Sequence, residues 1–257
     1  MDVTLKRDFL GRRQAPEVVQ TEVRIPSGAA WLYGDLALPA GLLGLVLFAH
    51  GSGSGRHSAR HRQVAQALQS AGIGTLLFDL LTAAEEQTDI HTGEHRFNIA
   101  LLTQRMQDAT LWVTAQDQFK NEPIGYFGAS TGSAAALIAA ARLRDRVSAV
   151  VSRGGRPDLA GPVVLAELHA PTLLIVGSDD PGVIELNEEA LRFMRCEKKL
   201  SIVPHATHLF EEPGALEKVA ALAAEWYTRY LQKIELPRSG MTRQRTQNID
   251  TSKEARR

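Results

Sequence analysis

Five short runs of the chain are almost entirely apolar, and they limit its fold more than any other sequence feature. Apolar side chains at consecutive rather than alternate positions are typical of strands covered on both faces, as in parallel sheets. The segments between the runs show helical periodicity; Met106, Ala109 and Val113, for example, recur at spacings of three and four. Strands that alternate with helices predict the α/β class, with a doubly wound, mostly parallel sheet and helices on both faces. The strands predicted over these runs are Leu42–Ala49, Gly74–Asp79, Ile124–Phe127, Val147–Val151 and Thr172–Val176.

The two ends of the predicted sheet have simpler patterns. Glu22–Ile25 and Trp31–Leu38 are joined by a short turn with Pro26 and Gly28, so we expect them to pair antiparallel at one edge. A last strand is predicted over Lys199–Val203, and the last helix follows it.

A nucleophile elbow is predicted where the strand Ile124–Phe127 ends. The next residues match G-x-S-x-G, with Ser130 between Gly128 and Gly132, and a helix pattern follows. In such an elbow the turn is so sharp that a Cβ atom at either glycine would collide with neighbouring backbone. Ser130 is therefore the candidate nucleophile, and the competing interpretation is an ordinary glycine- and serine-rich turn.

A serine nucleophile needs a base and a carboxylate that orients it. His208, between the last strand and the last helix, is the candidate base, and His205 is its close rival. Asp179 and Asp180 follow the strand Thr172–Val176 and are both candidates for the acid, although paired acids there also serve as turn and cap residues. The chain order of serine, acid and histidine is that of α/β-hydrolases.

The glycine-rich segment after the central strand, Gly51–Gly55, is expected to form part of an oxyanion hole. Its glycines let the backbone approach a ligand closely. One N–H donor is predicted from Thr131, the residue after the nucleophile, and the other from Ser52 in this loop.

With these motifs in this order, the chain resembles the α/β-hydrolase superfamily and, within it, the small dienelactone-hydrolase-like serine hydrolases. The resemblance covers residues 22–232. It implies an α/β-hydrolase fold, and its G-x-x-D-x-x-V pattern maps onto Gly177, Asp180 and Val183, which favours Asp180 as the acid. Dienelactone hydrolases proper have a cysteine nucleophile where this chain has Ser130, so an ordinary ester is the expected substrate. The short segment from Ser152 to Pro171 leaves no room for a large cap domain.

Composition excludes other classes of function. The 257 residues hold 29 basic and 29 acidic side chains, which argues against a general nucleic-acid binder. A single cysteine, Cys196, excludes an internal disulfide framework and a multi-thiolate metal site. The sequence shows neither a secretory signal nor an apolar run long enough to span a bilayer, so a cytoplasmic location is expected. We expect a hydrolase domain over residues 1–235 and a basic, disordered tail over 236–257, and the oligomeric state cannot be read from the sequence.

Three competing hypotheses remain. The glycine loop and Asp79 imitate a dinucleotide-binding unit, but Arg56 stands where its last glycine is required. His91 to His95 matches the H-x-x-E-H zinc motif, but Gly93 disfavours the helix that this motif needs. The mostly polar stretch Thr82–Glu94 is therefore interpreted as a loop near the site. A catalytically silent binding protein with this fold is the third. The favoured hypothesis is a serine hydrolase of small-to-medium carboxylic esters that uses neither a metal nor an organic cofactor; a lactone, thioester or amide hydrolase or an acyltransferase is the alternative.

Overall fold

The apolar runs form the centre of an eight-stranded sheet. A computed structural model describes residues 17–231. The strands are β1 (Val18–Ser27), β2 (Ala30–Pro39), β3 (Leu45–Ala49), β4 (Gly74–Phe78), β5 (Ile124–Ala129), β6 (Ala149–Arg153), β7 (Thr172–Gly177) and β8 (Lys198–Val203). Their spatial order is β1-β2-β4-β3-β5-β6-β7-β8. The expected antiparallel edge is confirmed, because β1 pairs with β2 and β2 with β4 in that sense, while the remaining neighbours are parallel.

Helices cover both faces of this sheet, as expected of the doubly wound α/β class. The helices are α1 (Ala59–Ser70), α2 (Ala83–Thr92), α3 (Ile99–Thr114), α4 (Thr131–Leu143), α5 (Gly161–Glu167), α6 (Pro181–Phe193) and α7 (Ala215–Tyr230). Helices α1 and α7 bury their apolar residues against one face, and α3 to α6 bury theirs against the other. Residues of β3, β4, β5 and β7 are buried throughout, which explains why their sequences are continuously apolar.

Helix α2 corrects the sequence interpretation, which treated residues 82–94 as a polar loop. The Thr82 side chain accepts a hydrogen bond from the backbone N–H of Glu85, and the Glu85 carboxylate accepts one from the N–H of Thr82. This reciprocal capping box starts the helix, and Gly93 ends it in the left-handed conformation, with φ of 67°. The T-x-x-E pattern was present in the sequence and would have predicted the helix.

The connection between β6 and β7 is short. It holds a 3₁₀ turn at Pro157–Ala160 and the seven-residue helix α5, and no larger inserted unit lies between these two strands. The predicted tail, residues 236–257, lies outside the described residues. Within residues 17–231 no helix is long and apolar enough to cross a bilayer.

Candidate active site

Ser130 lies in a strained turn between β5 and α4. Its backbone has φ of 49° and ψ of −124°, a conformation that a residue with a side chain rarely adopts. A Cβ atom at Gly128 would lie 2.5 Å from the Cα of Ser133, and one at Gly132 would lie 2.3 Å from the backbone oxygens of Ala49 and His50. Glycine is therefore required at both positions, and the tight turn holds Ser130 at the carboxyl edge of the sheet.

The end of β6 supports the backbone of this turn. The N–H of Ser130 donates to the carbonyl of Arg153 at 3.3 Å, and the N–H of Arg156 donates to the carbonyl of Ser130 at 3.2 Å. Both peptide groups of the strained residue are thereby satisfied. The support stabilises an otherwise unfavourable conformation, which costs about 1–3 kcal/mol in general.

An acid–base pair lies at the same edge of the sheet. The Nδ1 atom of His208 is 2.7 Å from Oδ2 of Asp180, which is half-buried at the start of α6. Since a carboxylate can only accept, Nδ1 carries the proton and Nε2 is free to accept another. Asp179 is exposed and accepts a hydrogen bond from Ser178, whereas His205 is exposed and bonds to Ser178 through its backbone N–H.

His208 and Ser130 both contact the segment that ends β6, and they are not hydrogen-bonded to each other. A Cβ atom at Gly154 would lie 3.5 Å from Cε1 of His208, and the preceding residue, Arg153, holds the backbone of Ser130. Among residues 17–231 the His208 ring bonds to Asp180 and makes no hydrogen bond with Ser130. Nucleophile–base hydrogen bonds commonly tighten only when a substrate is bound.

The predicted oxyanion loop packs directly on the elbow. A Cβ atom at Gly51 would lie 2.9 Å from the Cβ of Ser130, so this position must be glycine. Gly51 to Ser54 form a tight turn, in which the Ser54 N–H donates to the Gly51 carbonyl at 3.3 Å and Gly53 has φ of 68°. Ser52, next to the close contact, is exposed at the same edge. Thr131 begins α4, where no earlier carbonyl of the helix can accept its N–H.

The buried ring of His50 fixes this loop to the end of β4. Its Nδ1 donates to the carbonyl of Gly51 at 3.0 Å, and its Nε2 accepts from the N–H of Leu80 at 2.9 Å. Burial lowers the pKa of His50, so the ring stays neutral and keeps the lone pair that Leu80 requires.

Arg153 is a buried cation beneath the turn that carries His208. Its side chain is 7% exposed, and one guanidinium nitrogen donates to the carbonyl of Leu209 at 3.4 Å. The guanidinium also lies 5.6 Å from the centre of the Phe210 ring. No carboxylate within the described residues pairs with Arg153, and burial lowers the pKa of its guanidinium to about 10.

A cleft of about 300 Å³ opens beside the oxyanion loop. The cleft is lined by residues of the Gly51–Gly55 loop, by residues that follow β4 and by residues of α2. Its apolar lining comes from Leu81, Ile90 and Leu102. Asp79, Glu86 and Asp89 contribute carboxylates, and Arg96 contributes a guanidinium. The rest of the lining consists of His50, Gly51, Ser52, Gly53 and Ser54.

Sequence reasoning missed the structural roles of His50 and Arg153. A histidine directly before the glycine loop and a basic residue at the end of an apolar strand were the available signals. The zinc motif does not form one helical face, because α2 ends at Gly93, between His91 and His95. Within the residues described, no cluster of histidine, cysteine or acidic side chains has the geometry of a metal site.

Comparison with known proteins agrees with this architecture. A family model described as alpha/beta hydrolase fold matches residues 44–170. A crystal structure of a dienelactone hydrolase from Anabaena variabilis is 52% identical, with a TM-score of 0.82, and the match covers 85% of this chain and all of that one. The chain belongs to the α/β-hydrolase family. Within the family it is dienelactone-hydrolase-like, which confirms the resemblance drawn from its motifs.

Two further sets of relatives extend the comparison. Two Mycobacterium tuberculosis proteins, provisionally named phosphoribosyl transferases, are 51% identical over 216 residues. The match covers 84% of this chain and 48% of theirs, so the chain spans about half the length of these curated relatives. Est1E from Butyrivibrio proteoclasticus shares the fold, with a TM-score of 0.68 at 16% identity over 81% of this chain and 98% of that one.

Proposed function

We propose that this α/β hydrolase cleaves small-to-medium carboxylic esters through an acyl-enzyme. The observation that carries the proposal is the 2.7 Å pairing of His208 with Asp180 at the sheet edge where the strained Ser130 lies. A histidine that carries its proton on the carboxylate side has the tautomer needed to accept a proton from a serine hydroxyl. Hydrolysis of this kind requires neither a metal nor an organic cofactor.

The steps follow from the positions of these groups. Ser130 Oγ attacks the ester carbonyl while His208 Nε2 takes the hydroxyl proton, and Asp180 stabilises the imidazolium that results. The backbone N–H groups of Thr131 and Ser52 donate to the oxyanion of the tetrahedral intermediate. His208 then protonates the leaving alcohol, which leaves an acyl-Ser130 ester. Water attacks this ester while His208 takes its proton. The bond between the acyl group and Ser130 Oγ then breaks, the carboxylic acid is released, and His208 returns the proton to the serine hydroxyl.

The nature of the substrate bond is a separate part of the proposal. The same groups would hydrolyse a lactone, a thioester or an amide, or transfer the acyl group to another acceptor. We favour an ester because the nucleophile is a serine and the segment between β6 and β7 leaves the site open to water. The phosphoribosyl transferase name belongs to proteins of about twice this length, so we do not extend it to this chain.

A fluorophosphonate probe and a panel of para-nitrophenyl esters of increasing acyl length test the proposal. The probe should label the wild type and leave Ser130→Ala unlabelled, and Ser130→Ala should lose ester turnover while it remains folded by circular dichroism. His208→Ala should lose turnover to a similar extent, whereas His205→Ala, a matched exposed histidine in the same turn, should retain it. Labelling that persists in Ser130→Ala, or full turnover in His208→Ala, would contradict the mechanism.

A further inference from the structure

The cleft beside the oxyanion loop lies on the acyl side of the proposed site. This inference rests on the proposed function, because His208 must protonate the leaving alcohol and the alcohol therefore lies on the side of His208. Asp180 and His208 follow β7 and β8, on one side of β5 in the sheet. The cleft lies on the other side, where β3 and β4 end. The acyl chain of a substrate bound at Ser130 would therefore enter it.

Two of the three carboxylates in the cleft are paired. Asp79 accepts the backbone N–H of Arg56 at 2.8 Å and forms an ion pair with its guanidinium at 3.2 Å. Asp89 is buried and bonds to the Arg96 guanidinium at 2.5 Å, which also donates to the Asp89 carbonyl. The positive charge of Arg96 is thus balanced by the carboxylate of Asp89.

Glu86 is the carboxylate of the cleft that has no partner. Within the described residues its side chain makes neither an ion pair nor a hydrogen bond. It is exposed on α2 and lines the same cleft as the predicted oxyanion loop, and its negative charge acts on the buried His50 that holds this loop. His50 is neutral and Arg96 balances Asp89. Arg56 pairs with Asp79 and also with Glu22 and Asp35, so it brings no surplus positive charge to the cleft. The unpaired Glu86 therefore leaves the cleft with an excess negative charge.

This charge acts on any substrate that the cleft accepts. A second negative charge, on the acyl chain, would be repelled by Glu86, and a positive charge would be attracted. The apolar side chains of Leu81, Ile90 and Leu102 supply contact for the carbon skeleton between the carbonyl and that charge. We propose that the cleft selects esters whose acyl chain carries a cationic ammonium group, and that Glu86 is the specificity-determining residue.

Three para-nitrophenyl esters of nearly equal shape test this inference. One carries the gamma-trimethylammonio-butyryl group, the second carries its neutral tert-butyl isostere, and the third is the monoester of glutaric acid. The wild type should have kcat/KM values in the order cationic, neutral, anionic. Glu86→Gln should reduce the cationic-to-anionic ratio about tenfold, since one charge at a solvent-exposed site changes each rate by about threefold, and Glu86→Lys should invert it.

The three esters differ in intrinsic reactivity, so the ratio of kcat/KM values is compared between each variant and the wild type. Glu225→Gln, at an exposed acid of α7 remote from the cleft, is the matched control and should keep the wild-type ratio. The wild-type preference should also decrease as ionic strength rises. A ratio that Glu86→Gln leaves unchanged, while Ser130-dependent turnover persists, would overturn this inference alone. Absence of turnover and of probe labelling at Ser130 would instead overturn the proposed function.

Discussion

Replacement of the buried Arg153 by methionine should remove a charge whose burial lowers the free energy of unfolding. Arg153 is 7% exposed, its guanidinium has no carboxylate partner within residues 17–231, and burial lowers the pKa of this group to about 10. Each pKa unit corresponds to about 1.4 kcal/mol, so holding the charge costs about 3 kcal/mol. The contact with Phe210 and the hydrogen bond to the Leu209 carbonyl each offset about 1 kcal/mol of this.

Arg153→Met keeps the length and the apolar stem of the side chain, so its packing is largely retained. We therefore expect the free energy of unfolding to rise by about 1 kcal/mol. Equilibrium urea denaturation measures this directly through the transition midpoint and its slope. Arg229→Met, at an exposed ion pair with Glu197, is the control and should change stability by less than about 0.5 kcal/mol.

Turnover should change in the opposite direction. Without Arg153 the Leu209 carbonyl, next to the proposed base, loses its donor, and kcat should fall by about tenfold with KM little changed. Arg153→Lys should recover part of that loss without the gain in stability. A loss of more than about 2 kcal/mol in Arg153→Met would refute the reasoning, because it is the result expected when a buried charge has a partner.

Three further predictions follow from the site and the core. Gly132→Ala should lower the free energy of unfolding by about 1–2 kcal/mol and abolish turnover, because its Cβ would lie 2.3 Å from the backbone oxygens of Ala49 and His50. This strain exceeds the gain of about 1 kcal/mol in helix propensity, and urea denaturation and ester turnover check the prediction. Burial lowers the pKa of both His50 and His61 below 6.5, so the unfolded chain binds more protons than the folded chain at acid pH. The urea midpoint should therefore be constant above about pH 6.5 and decrease as the pH is lowered further. The decrease should be shallower in His61→Phe. Asp180→Asn should lower kcat by orders of magnitude while Asp179→Asn stays near wild type in the ester assay, and equal losses in the two would contradict the assignment of the acid.

The sequence predicted the sheet well because continuous apolar strands leave a clear pattern. It predicted strand ends less well: β6 was placed over Val147–Val151, whereas the structure has Ala149–Arg153. Arg153 explains this difference, because a basic residue at the end of an apolar run indicates the start of a loop. Its burial depends on Phe210, which is remote in sequence, and no local pattern reports such a contact.

The part of the candidate site that sequence motifs mark could be predicted. Ser130, Asp180 and His208 were named from motif context and chain order, and the structure brings the last two together. The preference for Asp180 over Asp179 came from a family pattern, and local geometry now supports it, because only Asp180 contacts the ring. The unpaired state of Glu86 could not be predicted, since it depends on which arginines the fold has already committed to other carboxylates.

The way α2 is attached has a consequence for how this family can change. Asp89 is the buried residue of that helix, and its other links to the rest of the molecule are polar, such as the ion pair of Glu85 with Arg105. Glu85 and Asp89 must stay, because they pair with the buried Arg105 and with Arg96. The other eight positions of α2 can be exchanged without disturbing the sheet, so one surface helix can vary the lining of the cleft while the stability of the domain is retained.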